Sequence, residues 1–292
     1  MSQRLGIVAA RSKPEAEELG EVIAQWLRAR DHVPVSEAEL DEGAAADVNA
    51  IIVLGGDGLM MRAANAYPDV PLFGINFGKV GFLALIEQRE WRTALSSFLQ
   101  GTFDIEESAT LQADLYRDGE TYDQGWAIND VVIRSGTRMI DIELYIDSFF
   151  VNMYPGDGMI VSTPRGSTAY CMAAGGPILT AGVRGFALVP ISCHSPIRTP
   201  MVTSEDALIE MMSANDHPAH LILDGQPITT LRRNDLVTVR RGEHTFRLVR
   251  VGNANFYDAM RTKFNFQIRP NAVPTRLAQP EPSEAPDGAL RS

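Results

Sequence analysis

Ile51-Ile52-Val53-Leu54-Gly55-Gly56-Asp57-Gly58 decides the fold, because an apolar run ends on a glycine-walled corner and Leu59-Met60-Met61-Arg62-Ala63-Ala64-Asn65-Ala66 then follows with helical character. The expected unit is a strand, a tight turn carrying one carboxylate, and a helix. Glycines let backbone approach an anion closely, and the first N–H groups of the helix face it. Asp57 in such a turn has two readings. It either caps the helix, with the glycines solving a steric problem, or it holds a metal or accepts a proton from a hydroxyl attacking phosphorus.

Outward from this corner the first hundred residues alternate strand and helix. Leu5 to Ala10 reads as a strand, Ser12 and Glu15 are spaced as a capping box, and Leu19, Val22, Ile23, Trp26 and Leu27 repeat at helical spacing. A strand at Leu72 to Ile75 and a helix near Glu87 to Leu99 continue the pattern. A second glycine-rich turn, Gly74-Ile75-Asn76-Phe77-Gly78-Lys79-Val80-Gly81-Phe82-Leu83, is expected beside the first at one sheet edge. The class is therefore an α/β N-terminal domain with an open, mostly parallel sheet over residues 1–100.

After Gly101 the texture changes to β. Leu111, Ala113 and Leu115 alternate with polar residues, Asp118-Gly119 reads as a hairpin turn, and β-rich runs follow at Trp126 to Arg134 and Ile142 to Tyr154. Short strands are expected at Phe186 to Ile191, Ala207 to Met212, Leu221 to Leu223, Leu236 to Arg240 and Phe246 to Val251. Residues 101–252 form a larger, mostly-β second domain on this reading, and 253–269 packs back on the first. The stretch 270–292 holds five of the 17 prolines and few large apolar side chains, which predicts a disordered tail.

Composition limits the function. With 26 basic against 37 acidic residues the net charge is −11, which argues against a nucleic-acid footprint and requires any anionic ligand to be held locally. No apolar run approaches the roughly 20 residues of a membrane span, so a cytoplasmic protein with no membrane partner is expected. Cys171 and Cys193, without paired spacing, suggest neither disulfides nor structural zinc, and Cys171 reads as a buried small hydrophobe.

The densest chemistry lies at Gly156-Asp157-Gly158-Met159-Ile160-Val161-Ser162-Thr163-Pro164-Arg165-Gly166-Ser167-Thr168-Ala169-Tyr170. It reads as strand, turn and helix, with Ser167 as the helix cap. Asn129-Asp130 sets an amide beside a carboxylate within a β-rich run.

Taken in order, Gly-Gly-Asp-Gly, Gly-x-Asn-x-Gly-x-x-Gly-Phe-Leu, Asn-Asp, Asp-Gly-x-x-x-Ser-Thr-Pro-x-Gly-Ser-Thr-Ala-Tyr and Asp224-Gly225-Gln226 resemble the NAD kinases from about residue 50 to 265. The resemblance implies the two-domain architecture shared with diacylglycerol kinases and phosphorylation of the 2′-hydroxyl of the adenosine ribose of NAD. The donor it implies is ATP or polyphosphate, with Mg²⁺ or Mn²⁺ as divalent cation, in a homodimer or homotetramer. Carried over, Asp57 is the proton acceptor and Gly55, Gly56 and Gly58 lie against the nucleotide. Asn129 and Asp130 hold the ribose and adenine end, and Thr168, Ala169 and Tyr170 line the site. Asp157, Gln226, Arg62 and Arg138 match further nucleotide-contacting positions, and no metal ligand is assigned.

Three positions and one segment depart from the family pattern. Asp130 stands where glutamate is commonest, Arg165 replaces a usual threonine, Leu59 replaces another, and Cys193-His194-Ser195-Pro196-Ile197-Arg198 matches its segment only in part. These departures leave a non-catalytic dinucleotide-binding regulator as an alternative, beside a related lipid or sugar kinase.

Overall fold

The computed structural model describes residues 2–78, 81–180, 182–196, 198–252, 256, 257 and 260. The expected tail at 270–292, and all but a few positions of 253–269, lie outside the described residues.

The N-terminal α/β domain contains strands β1 (Arg4–Ala9), β2 (Val33–Ser36), β3 (Ala50–Gly55), β4 (Leu72–Asn76) and the short β5 (Ile86–Glu87). Its helices are α1 (Pro14–Arg28), α2 (Glu37–Asp41), α3 (Asp57–Ala66) and α4 (Trp91–Leu99). All of these strands pair in parallel, in the order β4, β3, β1, β2, with β5 beside β4. A parallel sheet covered on both faces demands strands without alternation, and every residue of β3 is buried. Leu27, Phe73, Leu95 and Phe98 pack one face under α1 and α4, while Leu40, Met60 and Ala63 pack the other under α2 and α3.

The mostly-β domain contains β6 (Asp104–Arg117), β7 (Glu120–Ala127), β8 (Asp130–Ser135), β9 (Ile140–Ile146), β10 (Phe149–Gly156), β11 (Gly158–Ser162), β12 (Gly185–Ile191), β13 (Met201–Ser204), β14 (Ile209–Ser213), β15 (Ala219–Leu223), β16 (Gln226–Leu231) and β17 (Leu236–Arg250), with a single short helix, α5 (Tyr170–Ala173). Strands β13, β12, β11, β8, β15 and β16 make a second sheet, while β6, β7, β9, β10, β14 and β17 extend the first. The two sheets face one another across Leu111, Ala113 and Leu115 on one side and Val131, Ile133 and Phe186 on the other. The alternation at 111 to 115 is thus the inward face of β6, with all three side chains at 0% exposure.

Several local expectations change. The capping box is not at Ser12 and Glu15: Pro14 sets the first turn of α1 with Lys13 as N-cap, and the box forms at Ser36 and Glu39 before α2. The runs at 126 to 134 and 142 to 154 each break into two strands. The second break is a left-handed turn at Asp147 and Ser148, with φ of 51° and 67°, and the first falls at Ile128 and Asn129, whose N–H groups turn to Asp224. The two expected strands after Leu236 are instead one, β17, which absorbs a register shift against β6 between Arg241 and Thr245. Thr110 Oγ1 donates to the His244 carbonyl across this bulge, 2.5 Å away, so the irregularity costs no orphan acceptor there. Asp118-Gly119 turns the β6–β7 hairpin with positive φ at both residues.

Candidate functional site

The two glycine turns lie side by side because β3 and β4 are parallel neighbours, with Gly55 opposite Asn76. Phe77 N–H donates to the Gly55 carbonyl at 3.0 Å, holding the turns together. Gly56 is the N-cap of α3 and no side chain caps that helix, so the capping reading of Asp57 does not hold. Its carboxylate is turned across the gap instead. Phe82 N–H reaches Oδ2 at 2.9 Å, and Leu83 and Ala84 N–H reach Oδ1 at 3.0 and 3.3 Å. Successive N–H groups from one turn make a concave anion seat, and they fix the orientation of this carboxylate. A Cβ on Gly81 would fall inside it, which is why only glycine serves there. Leu59 folds back over Gly55, filling the space a side chain at that residue would need.

Asn129 and Asp130 begin β8, and two residues outside the expected set hold them. Asp224, at φ 48° in the β15–β16 turn, accepts from the N–H groups of Ile128, Asn129 and Asp130 at 2.8, 2.7 and 3.1 Å. Thr163 Oγ1 donates to the Ile128 carbonyl at 2.7 Å and accepts from Gly166 N–H at 3.0 Å. Asn65, on α3, donates to the Met61 carbonyl at 3.0 Å, and its amide near Asp224 favours the ionised form of that carboxyl. Asp224 stood in the motif that carried the resemblance. Its anchoring role was not legible because the donors are main-chain groups nearly a hundred residues away in sequence.

Burial raises the carboxyl of Asp130 to about 7, and repulsion from Asp224 adds to the effect. Burial also raises Asp224, against the pull of its three backbone donors. The sign follows from the folded value lying above the unfolded one. The folded state holds a proton that the unfolded chain releases above its ordinary carboxylate range, so stability from this group is lost as pH rises toward 7. Asp130→Asn is therefore expected to gain thermal stability over the wild type, with a gain that is near zero at pH 4, grows from pH 4 to 7 and levels off above. Melting curves at pH 4.5, 6 and 8 check this; a gain independent of pH would refute the assignment.

The Thr163 to Tyr170 stretch is not one capped helix. A turn at Gly166–Thr168 and the single turn α5 are separated by Ala169, with φ −101° and ψ −123°. Ser167 does not cap. Its hydroxyl donates to the Pro164 carbonyl at 2.6 Å and accepts from Leu179 N–H at 2.9 Å, stapling the loop. Tyr170 lies with its ring centroid 5.7 Å from the Arg134 guanidinium, over the face of β8 that also carries Asp130. Cys171 is fully buried, and burial pushes its thiol up to about 11, as befits an inert small hydrophobe.

Thr168 opens onto a cavity of about 380 Å³ that Phe82, Glu106, Arg165, Arg184 and Arg241 also line. Gly55, Gly56, Asp57, Gly58, Asn129, Asp130 and the 168–170 turn are thus gathered around the junction of the two sheets, and Gln226 follows the Asp224 turn at the start of β16. Other expected residues stand apart. Arg62 pairs with Glu37 at 2.8 Å, on the α2 side of α3. Asp157 accepts at its carbonyl from Ser135 N–H, 2.8 Å away, and so sits five residues along β8 from Asp130, about 16 Å at strand rise. Arg138 is exposed in the loop that follows β8, at that same far end. Lys13, which the sequence reading passed over, donates from Nζ to the Phe77 carbonyl beside the second glycine turn.

A glycine-walled corner with an oriented carboxylate, facing a buried carboxyl on a second sheet, defines a two-domain kinase-type phosphotransferase fold. Residues 28–103 match the ATP-NAD kinase N-terminal domain and residues 128–251 the ATP-NAD kinase C-terminal domain. The NAD kinase of Thermomicrobium roseum is 53% identical over 99% of this chain and 100% of its own length. That of Syntrophotalea carbinolica is 33% identical over 91% and 100%. Among solved structures, yeast NADH kinase complexed with NADH superposes with a TM-score of 0.79 at 19% identity, covering 95% of this chain and 90% of that one. An Archaeoglobus fulgidus NAD kinase in complex with ATP gives 0.69 at 24%, covering 89% and 99%. The chain belongs to the NAD kinase family.

Proposed function

We propose that this chain transfers the γ-phosphoryl group of ATP to the 2′-hydroxyl of the adenosine ribose of NAD, giving NADP, with Asp57 as proton acceptor. The ribose oxygen forms a bond to the γ-phosphorus, the bond from that phosphorus to the β–γ bridging oxygen breaks, ADP leaves with the electron pair, and the hydroxyl proton passes to Asp57. The observation that carries this reading is the Asp57 carboxylate fixed by the Phe82, Leu83 and Ala84 N–H groups, with Asp224 holding the Ile128 to Asp130 turn in the same way. A carboxylate fixed by three N–H groups is held in one orientation before substrate arrives, and alignment is worth more than covalent chemistry in phosphoryl transfer.

Gly55, Gly56 and Gly58 form the phosphate-side wall, Asn129 and Asp130 take the ribose and adenine end, and Thr168, Ala169, Tyr170 and Gln226 line the nucleotide. Arg62 serves as an outlying cation. Arg138 and Asp157 lie at the far end of β8, next to the Arg134 that Tyr170 covers, where they take the end of the dinucleotide remote from the ribose hydroxyl, and the chain assembles as a homodimer or homotetramer. Edge strand β10 supports such association, with Phe149 77% and Phe150 58% exposed. The domain boundary is placed near residue 100, just after α4 ends.

Among the described residues no group of three or more His, Cys, Asp or Glu is placed to hold a metal. The side chains present do not fit a cation caged by protein. A Mg²⁺ or Mn²⁺ ion belongs instead with the donor's phosphate oxygens and water. Among the described residues no helix is long and apolar enough to cross a membrane, and the proposed reaction takes place in the cytoplasm on small-molecule substrates.

The test is a coupled assay of NADP formation with ATP or polyphosphate as donor and NAD or NADH as acceptor, beside fructose 6-phosphate and diacylglycerol. ATP-dependent NADP formation is expected. Phosphorylation of either control acceptor alone would overturn the reading, and tight NAD binding without turnover under any donor or metal would make the chain a regulator.

A further inference from the structure

Arg165 is the residue least explained by the fold. It follows Pro164 in the turn after β11, where its backbone is helical with φ −64° and ψ −46°, and its side chain is only 7% exposed. One terminal nitrogen donates to the Glu106 carboxylate and also lies 3.3 Å from Ser108 Oγ. Its guanidinium stands 5.4 Å from the centre of the Phe246 ring. Nε has no hydrogen-bond partner and is shut off from solvent.

A buried guanidinium with an orphan N–H is costly unless something accepts from it. The ion pair with Glu106 does not account for it, because Arg250 already reaches the other oxygen of Glu106 at 3.4 Å. Arg165 lines the cavity shared with Phe82 and Thr168. Phe82, whose N–H holds the Asp57 carboxylate at 2.9 Å, lines the same cavity, and burial lowers the pKa of Arg165 while Glu106 raises it. On the opposite wall Arg184 and Arg241 share Glu205, each at 2.7 Å. Glu107 and, beside Arg184, Asp206 make that rim mixed in charge. Selectivity for an anion therefore falls to the one buried cation. A planar fork with a free N–H edge suits an oxyanion far better than a neutral group, and the oxyanions that the proposed reaction brings here are phosphates.

We propose that Arg165 contacts a condensed phosphate in this cavity, turning the guanidinium edge that Glu106 and Ser108 leave free toward a phosphate oxygen on the Phe82 side. This rests on the NAD kinase reading for the source of that phosphate, which is either the chain of the donor or the pyrophosphate link of the dinucleotide. Arg165 then adds its own charge to a site whose glycine turns offer only N–H groups. Glu106 and Ser108 act as its anchors.

The test uses the full chain and inorganic tripolyphosphate with no metal added, read by calorimetry, alongside steady-state kinetics. The wild type is expected to bind tripolyphosphate, Arg165→Thr to bind it at least tenfold more weakly, and Arg165→Lys, which keeps the charge and the Glu106 pair but loses the planar fork, about fivefold more weakly. A tenfold rise in KM for ATP with KM for NAD unchanged marks the donor chain as the occupant. The converse marks the dinucleotide. Recovery of Arg165→Thr turnover by added guanidinium supports direct contact. If the wild type fails to bind tripolyphosphate, or if both variants bind it as the wild type does with neither KM moved more than twofold, Arg165 is a structural ion pair and the proposal falls. Should Arg165→Thr not fold, the wild-type and Arg165→Lys measurements decide alone. A wild type that binds tripolyphosphate but never forms NADP leaves this proposal standing and removes the functional one.

Discussion

Asp57→Asn is expected to lower kcat for NADP formation by about 10² to 10⁴-fold, the range a positioned base supplies, while NAD binding measured by calorimetry changes little. The substitution separates two roles that share one side chain. As a clamp, Asp57 joins α3 to the second glycine turn through three main-chain donors. An asparagine keeps one oxygen for Leu83 and Ala84 but turns an amide nitrogen toward Phe82 N–H, so one hydrogen bond to a charged oxygen is lost, about 1.5–3 kcal/mol. A pure clamp would thus show a melting shift of a few degrees with turnover almost intact. A base shows the reverse weighting. Near wild-type kcat in Asp57→Asn would remove Asp57 from the chemistry and return it to architecture.

Gly166→Ala is expected to cost both stability and acceptor affinity. A methyl at this position would run into the carbonyl of Asn129, and main chain cannot yield as a flexible side chain does. Overpacking of this kind costs about 1–3 kcal/mol, or roughly 2–10 °C in Tm for a chain of this size. The displaced partner is the turn that Thr163 and Asp224 hold, the proposed seat of the ribose. KM for NAD is therefore expected to rise about tenfold or more, since errors near 1 Å in placement carry costs of order 10²-fold. Gly136→Ala is the control, because nothing lies within 4 Å of an added Cβ there. Equal behaviour of the two variants would show that the contact at Asn129 is not what glycine is for.

The α/β half was legible because its signals are local. An unbroken apolar run such as Ile51 to Leu54 can serve only a strand buried on both faces, and Gly55 to Gly58 marks its end. The second half yielded its strands but not their joints. β17 could not be read as one strand because the bulge between Arg241 and Thr245 interrupts its pattern, and the Thr110 hydroxyl that bridges the bulge lies far away in sequence. The site shows the same divide. Residues that display a motif were found, while the groups that hold them were missed or misassigned. Ser167 was read as a helix cap and instead staples the loop to Leu179. Asp57 kept an open choice between capping and chemistry until the Phe82 to Ala84 donors removed the first. Spacing along a strand also misleads: Asp157 and Asp130 belong to one motif series but occupy opposite ends of β8.

Strands β6 and β17 cross between the two halves of the molecule, and they do so as direct partners, with Asp104 paired to Arg250 and Ile105 to Val249. β17 is in turn anchored to β4 at Leu248 and Leu72. The chain therefore departs and returns through a double strap rather than a single tether. Such a strap resists torsion, because any swivel of one half against the other must shear a hydrogen-bonded ladder. A wide hinge swing of one half against the other would have to break pairs of this ladder, so the cleft walls are carried on one continuous sheet and keep their spacing as a unit.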